Sequence, residues 1–465
     1  MPNNQTPGHK RYLFLVSFVA AIGGFLFGFD TAVISGVLSF VVNQFRFDTA
    51  MEGWFVSCAL LGCIIGVAAA GTLSDRYGRK KVMLLAALFF LVSSIGCMAA
   101  SGTTTLISFR IIGGLGIGVA SMICPLYISE FAPPQYRGRL VALYQLAITV
   151  GIVAAYFSNA YLLNISQTVE GLTGWLHFVL VENVWRSMIG IGLVPALTFL
   201  LCLFFVPDSP RWLVLQGKEE EARRNLEKVN PVQVARDEIN AVKANKEEGS
   251  FKQLFSPAFR IPLLIGLLLP FLSQVSGINA VIYYGPVILD KAGFSLSDAL
   301  GGQVMVGLVN VIFTFVAILT VDKYGRRPLL FWGAGGAVAS LLALGFLFRA
   351  EVLGGPWILI CILLFIACFA FSFGPVCFIL IGEIFPNASR GLAMSMATLS
   401  LWVANFLVGQ MTPYMLKSAA WGPAATFWTF ALLCAPTLWL TWKMIPETKG
   451  RSLEEIERYW LQRGK

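Results

Sequence analysis

The chain has 465 residues, 57% of them hydrophobic and 13% charged, with a formal net charge of +9 and a mean hydropathy of +0.74. A water-soluble protein carries about a quarter charged residues, so this composition excludes an ordinary water-covered surface and points to lipid. The nine cysteines sit in apolar stretches with no CxxC or Cys/His ligand spacing, and no nucleophile–base grouping or phosphate loop is present. Neither a metal, a cofactor nor an enzyme is therefore expected.

A spanning helix needs about 20 mainly apolar residues. Twelve stretches qualify, at 12–40, 52–73, 82–101, 105–130, 140–163, 184–206, 260–290, 300–321, 328–348, 355–382, 391–416 and 422–444. The first, from Tyr12 to about Phe40, is too long for the apolar part of a cleavable signal and reads as a retained helix. The fold class is thus an all-α membrane protein. The polar stretch Arg211–Ser256, with Glu219-Glu220-Glu221, Arg223-Arg224 and Lys246-Glu247-Glu248, reads as a solvated helical connector without a core of its own. The division is a six-helix bundle over 1–206, a connector over 207–259, a second bundle over 260–444 and a tail over 445–465.

Lys and Arg set the orientation. The face holding both termini receives Lys10, Arg11, Arg76, Arg79, Lys80, Lys81, Arg137, Arg139, Lys323, Arg326, Arg327 and Arg390. The other face receives Arg46, Lys291, Arg349 and Lys417, with Arg186 near a helix end there. Both termini are expected in the cytoplasm, and the positive charge reflects topology rather than a nucleic-acid partner.

The chain repeats itself. Asp75-Arg76-Tyr77-Gly78-Arg79-Lys80 returns as Asp322-Lys323-Tyr324-Gly325-Arg326-Arg327, and Glu130 with Arg137-Gly138 returns as Glu383 with Arg390-Gly391. Two pseudo-symmetric six-helix halves with a substrate near the midplane between them are one transporter plan. Asp75, Arg79, Glu130, Arg137, Asp322, Arg326, Glu383 and Arg390 form a candidate cytoplasmic gate, whose salt bridges would hold the halves together when that side is closed. Plain loop solvation is the alternative.

Asp30 is the one acid well inside an apolar stretch, and Arg110 the one base so placed. An intramembrane ionisable group is functional by default. Asp30 lies 19 residues after Arg11, and Arg110 lies 20 residues before Glu130. At about 1.5 Å per residue they reach similar depth, toward the outer side. Such a pair can exchange a proton as a cavity opens and closes around it. A static structural pair is the alternative.

Sugar recognition needs neutral hydrogen-bonding groups and aromatic faces in a wet cavity. Helix seven offers Gln274, Asn279, Tyr283 and Tyr284, with Gly277 and Gly285-Pro286 suggesting a broken helix. Helix five offers Gln145, helix eight Asn310, and helix eleven Trp402 and Asn405.

Taken with Gly28-Phe29-Asp30-Thr31-Ala32-Val33-Ile34-Ser35-Gly36, Arg110-Ile111-Ile112-Gly113-Gly114, Pro207-Asp208-Ser209-Pro210-Arg211, Gln274-Val275-Ser276-Gly277-Ile278-Asn279 and Pro446-Glu447-Thr448-Lys449-Gly450, the chain resembles the sugar porter family of the major facilitator superfamily over nearly its whole length. It looks most like the bacterial proton-coupled pentose and hexose carriers. The resemblance implies alternating access around a monosaccharide site, with sugar contacts at Gln145, Gln274, Asn279, Tyr283, Asn310 and Trp402, and Phe27 and Asn405 nearby. It also matches the proton acid and its partner to Asp30 and Arg110. Three positions depart from the family pattern. Ser273 stands where a Gln is usual, Phe378 where a stacking Trp is usual, and Leu401 where a polar residue is usual. Altered sugar specificity is expected.

The expected function is proton-coupled symport of a pentose, hexose or related polyol by a monomer in a bacterial inner membrane. A facilitated uniporter and a non-transporting sugar sensor are the alternatives. The short tail after Met444 disfavours the sensor.

Overall fold

The structure is a computed structural model and describes residues 7–169, 171, 173–244, 255–385, 390–451 and 453–463. The Lys246-Glu247-Glu248 run lies outside the described residues.

Among the described residues, twelve helices are long and apolar enough to cross a membrane: His9–Phe45, Thr49–Tyr77, Arg79–Ala99, Thr103–Phe131, Tyr136–Thr168, Val184–Phe204, Pro257–Lys291, Leu296–Tyr324, Arg326–Arg349, Pro356–Ile384, Arg390–Lys417 and Gly422–Lys443. They are called spans one to twelve below. No strand occurs among the described residues. Several spans run past their apolar stretches because polar residues extend and cap them. Span two starts at Thr49, where the Asp48 carboxylate accepts from the Met51 N–H at 2.8 Å. Large apolar side chains such as Phe14, Phe205, Trp332 and Leu432 point outward and stay exposed, as a lipid-facing surface requires.

Span seven is broken, though not everywhere the sequence suggests. It divides into Arg260–Val275 and Ile278–Lys291 at Gly277, whose φ of 87° favours glycine. Gly285-Pro286 does not break the chain and lies inside the second segment. Pro286 withholds the N–H that the Ile282 carbonyl would accept, and the Tyr156 hydroxyl donates to that carbonyl instead, at 3.1 Å. Pro413 in span eleven does the same to Gly409, whose carbonyl accepts from the Tyr284 hydroxyl at 2.6 Å. Span ten breaks at Ser372, just before Gly374-Pro375, where Pro375 withholds the N–H that the Phe371 carbonyl would accept. The Ser372 hydroxyl donates back to the Cys368 carbonyl at 2.6 Å, a bond that bends helices.

The connector holds helices Pro210–Leu215, Glu219–Glu227 and Val232–Ala244. It does have a small core, contrary to the sequence expectation. Trp212, Leu213, Ala222, Leu226, Ala235 and Ile239 are buried against one another. These apolar residues sit one or two to a turn among many charges, so the average polarity of the stretch hides them. The tail helix Leu453–Arg463 buries Ile456 and Trp460.

With twelve spans, both chain ends lie on one face. On the opposite face the halves are joined. Lys417 at the end of span eleven donates to the buried Glu52 carboxylate at the start of span two. The Ser57 hydroxyl donates to Gln410 at 2.7 Å, and the Gln410 amide reaches the Ala50 carbonyl at 3.4 Å.

Candidate functional site

Asp30 of span one and Arg110 of span four form an ion pair at 3.7 Å, with side chains 15% and 5% exposed. Counting residues from the basic face thus brings them to one depth. The separation exceeds direct hydrogen-bond reach but keeps the charges coupled. The Phe55 ring lies 5.8 Å from the guanidinium carbon, within cation–π range. The Arg110 Nε is buried without a hydrogen-bond partner among the described residues. A cavity of about 10 Å³ touches both members of the pair and Tyr283 of the other half.

The sugar-binding candidates fall into groups. In span seven the Gln274 amide donates to Ser273 at 3.1 Å and accepts from Asn279 at 2.5 Å. Ser273 donates to the Pro270 carbonyl at 2.7 Å. Asn279 and Tyr283 are one helical turn apart and share a face. The Tyr283 hydroxyl and the Asn405 amide are linked, with contacts of 3.2 and 3.0 Å. Trp402 lies one turn before Asn405 on span eleven, and its ring meets Phe27 of span one at 5.3 Å between centroids. The Trp402 indole N–H is buried without a partner. Gln145 of span five comes beside Gly374 of span ten across the gap between the halves. Asn310 is buried on span eight, and Phe378 and Leu401 are half-buried on spans ten and eleven. These three stand apart from the hydrogen bonds above. Across the halves, Phe27 meets Trp402 and Gln145 comes beside Gly374, so both halves present polar and aromatic groups where they meet.

The repeated acid–base motifs adopt the same geometry twice. Arg79 pairs with Glu130 at 3.0 Å and with Asp75 at 3.0 Å. Arg326 pairs with Glu383 at 2.9 Å and with Asp322 at 3.0 Å. Each arginine also donates to a backbone carbonyl, Ser74 at 3.0 Å and Val321 at 3.2 Å. The turn glycines Gly78 and Gly325 have φ of 92° and 93°. In this structure these ion pairs join spans inside each half. The cause is helix register: each Arg starts a helix one residue after its Gly, directly against the end of the span that carries the Glu. Arg137 lies near Glu238 of the connector, and Arg390 begins span eleven.

Each cluster has partners that the sequence reading left unused. Asp208 accepts from the Lys80 N–H at 3.2 Å, and the Ser209 hydroxyl donates to Glu130. In the other half Glu447 accepts from the N–H groups of Arg326 and Arg327 at 3.0 Å, and the Thr448 hydroxyl donates to Glu383 at 2.6 Å. The signal was the pattern Pro-acid-hydroxyl after the last span of each half, Pro207-Asp208-Ser209 and Pro446-Glu447-Thr448.

Two six-span halves, each braced by the same acid–base cluster and meeting across a polar zone that includes a buried ion pair, define a membrane transporter of the major facilitator type rather than an enzyme. A family model described as "Sugar (and other) transporter" matches residues 16–460, and the chain belongs to that family. It is 41% identical over 454 residues to the arabinose-proton symporter of Bacillus subtilis (strain 168), covering 97% of this chain and 96% of that one. It is 36% identical over 487 residues to the D-xylose-proton symporter of Escherichia coli (strain K12), covering 98% and 97%. Among solved structures it is similar to a partially occluded inward-open conformation of the xylose transporter XylE from E. coli. There the TM-score is 0.82 and the identity 34%, over 95% of this chain and 100% of that one.

Proposed function

We propose that the chain carries a monosaccharide, a pentose or hexose, together with a proton, by alternating access. The observation that carries this reading is the buried Asp30–Arg110 pair beside a small cavity whose far wall is Tyr283 of the other half. Ionised, Asp30 is held by Arg110; protonated, it releases that hold, so its charge state and the arrangement of the halves bias each other. The names of the relatives, arabinose- and xylose-proton symporters, support the substrate class and the coupling ion.

In this reading Gln145, Gln274, Asn279, Tyr283, Asn310 and Trp402 hold the sugar, with Phe27 and Asn405 nearby and Ser273 and Phe378 shaping the pocket. The face that carries the termini is cytoplasmic, the membrane is the bacterial inner membrane, and the unit is a monomer. The joined face then lies outside, and the structure represents an inward-facing arrangement. The clusters of Asp75, Arg79, Glu130 and Arg137, and of Asp322, Arg326, Glu383 and Arg390, serve the cytoplasmic gate by keeping each half rigid while it rocks.

The test is uptake into proteoliposomes with and without an inward proton gradient, over a panel of labelled pentoses, hexoses and polyols, for wild type and Asp30→Asn. Gradient-driven accumulation in wild type is expected, abolished by Asp30→Asn while exchange of labelled for unlabelled sugar continues. Equilibration without accumulation in wild type would make the chain a uniporter and Asp30 structural.

A further inference from the structure

We propose that Tyr283 is a positioning residue of the proton site: from the C-terminal half it closes a one-water compartment against Asp30 and Arg110, and through Asn405 it ties that compartment to the sugar site. This rests on the symport reading above.

The compartment is the cavity of about 10 Å³ lined by Asp30, Thr31, Val56, Ala59, Arg110 and Tyr283, among others. That volume suits the centre of a single water. A buried water needs two to four polar partners, and the lining offers them. Asp30 and Arg110 are 3.7 Å apart, too close for a water between them, so the water sits beside the pair within reach of both. Arg110 is 4% exposed and its Nε has no protein partner. The Thr31 hydroxyl spends its one proton on the Phe27 and Gly28 carbonyls at 2.8 and 3.0 Å and can only accept from the water. Tyr283 is the polar residue that the other half contributes to this lining, and its hydroxyl, which donates to and accepts from Asn405, keeps one lone pair for a water.

The titratable groups facing Asp30 are Arg110 from span four, Cys63 from span two, Cys97 from span three and Tyr283 from span seven. The first three belong to the same half as Asp30 and travel with it. Tyr283 alone belongs to the half that rocks away, so its departure changes the proton site in each cycle. Its hydroxyl is held by Asn405, one turn from Trp402, and its helix face continues to Asn279, which is bonded to Gln274. A sugar that draws on Asn405 or Asn279 therefore shifts the hydroxyl that closes the compartment.

The experiment compares wild type, Tyr283→Phe and Val56→Ile in proteoliposomes, reading gradient-driven accumulation, counterflow exchange and the pH profile of uptake. Val56→Ile adds one carbon at a residue that lines the compartment and is not itself a sugar candidate. It is expected to lower accumulation about tenfold, the effect of one lost buried hydrogen-bond partner, with a displaced pH profile and far smaller change in exchange. Tyr283→Phe keeps the ring and removes the hydroxyl, and is expected to lower accumulation more than exchange. Should Tyr283→Phe fail to fold, Val56→Ile decides alone. Wild-type accumulation and pH profile in the folded variants would overturn the proposal, as would accumulation and exchange falling by one common factor. A wild type that exchanges sugar but never accumulates it would instead defeat the symport reading, and this proposal with it.

Discussion

Lys417 reaches across the two halves to a Glu52 carboxylate that is only 3% exposed, and this ion pair sits where spans eleven and two meet on the joined face. Glu52 has been taken out of water and Lys417 has not, so removing Lys417 strands a buried charge. Lys417→Ala is expected to shift the balance of the halves away from the structure seen here by about 1–2 kcal/mol, discounted because the lysine is part exposed. Distance measurements between spin labels on the outer ends of spans two and eleven check this. The exchanged pair, Glu52→Lys with Lys417→Glu, is expected to recover part of the loss. Unchanged distances in Lys417→Ala would remove the latch role.

The two acid–base clusters differ in depth. Arg79 and Glu130 have side chains 6% and 3% exposed, Arg326 and Glu383 11% and 26%. Breaking a buried pair by deleting one partner costs about 3–5 kcal/mol, and exposure reduces it. Arg79→Ala is thus expected to lower the unfolding temperature more than Arg326→Ala, read by thermal unfolding in detergent. An equal or reversed order would mean that the pairs are not what braces the halves.

Glu238, on the connector helix Val232–Ala244, is pushed up from its ordinary 4.5 to about 7 by burial, with Arg137 offsetting part of the effect. The folded connector then holds more protons than the unfolded one between those values. Its stability is expected to fall as pH rises from about 4.5 and to level off above about 7. Amide exchange in the connector helix, corrected for its intrinsic pH dependence, measures this. In Glu238→Gln that pH dependence is expected to disappear.

Specificity is expected to follow Phe378 and Leu401. Neither can donate a hydrogen bond, and an unmet polar group in a buried site costs about 1–3 kcal/mol. Phe378→Trp with Leu401→Gln is expected to widen or strengthen binding across a pentose and hexose panel by about tenfold or more. No change for any sugar would leave these two positions outside the pocket.

Much of this was legible in the residues. Twelve apolar runs name twelve spans, because each lipid crossing needs about 20 mainly apolar residues. The depth match of Asp30 and Arg110 follows from counting along straight helices. What stayed hidden depends on distant partners. Pro286 read as a break, yet the carbonyl it frees is capped by Tyr156, 126 residues earlier, and the helix continues. The break at Ser372 did carry a sign in Gly374-Pro375, which the reading passed over, while the Ser372 bond to its own backbone left none. Asp208 and Glu447 perform one task with different residues, so a search for identical letters passes over them. Within the candidate site, chain order cannot say that Tyr283 would meet Asn405 rather than the acid it stands beside.

The Tyr156–Ile282 bond has an osmotic consequence. It satisfies, from one half, a carbonyl that a proline has orphaned in the other. Once the halves part on that face, only bulk solvent can take the hydroxyl's place, so a dehydrated opening would strand a polar group. Separation and flooding are therefore one event, and the equilibrium depends on water activity. Large sugars or polymers excluded from the vestibule are expected to favour the joined face in proportion to their osmotic pressure, measured by the same label distances; a balance indifferent to osmolality would show that the vestibule fills before the bond breaks.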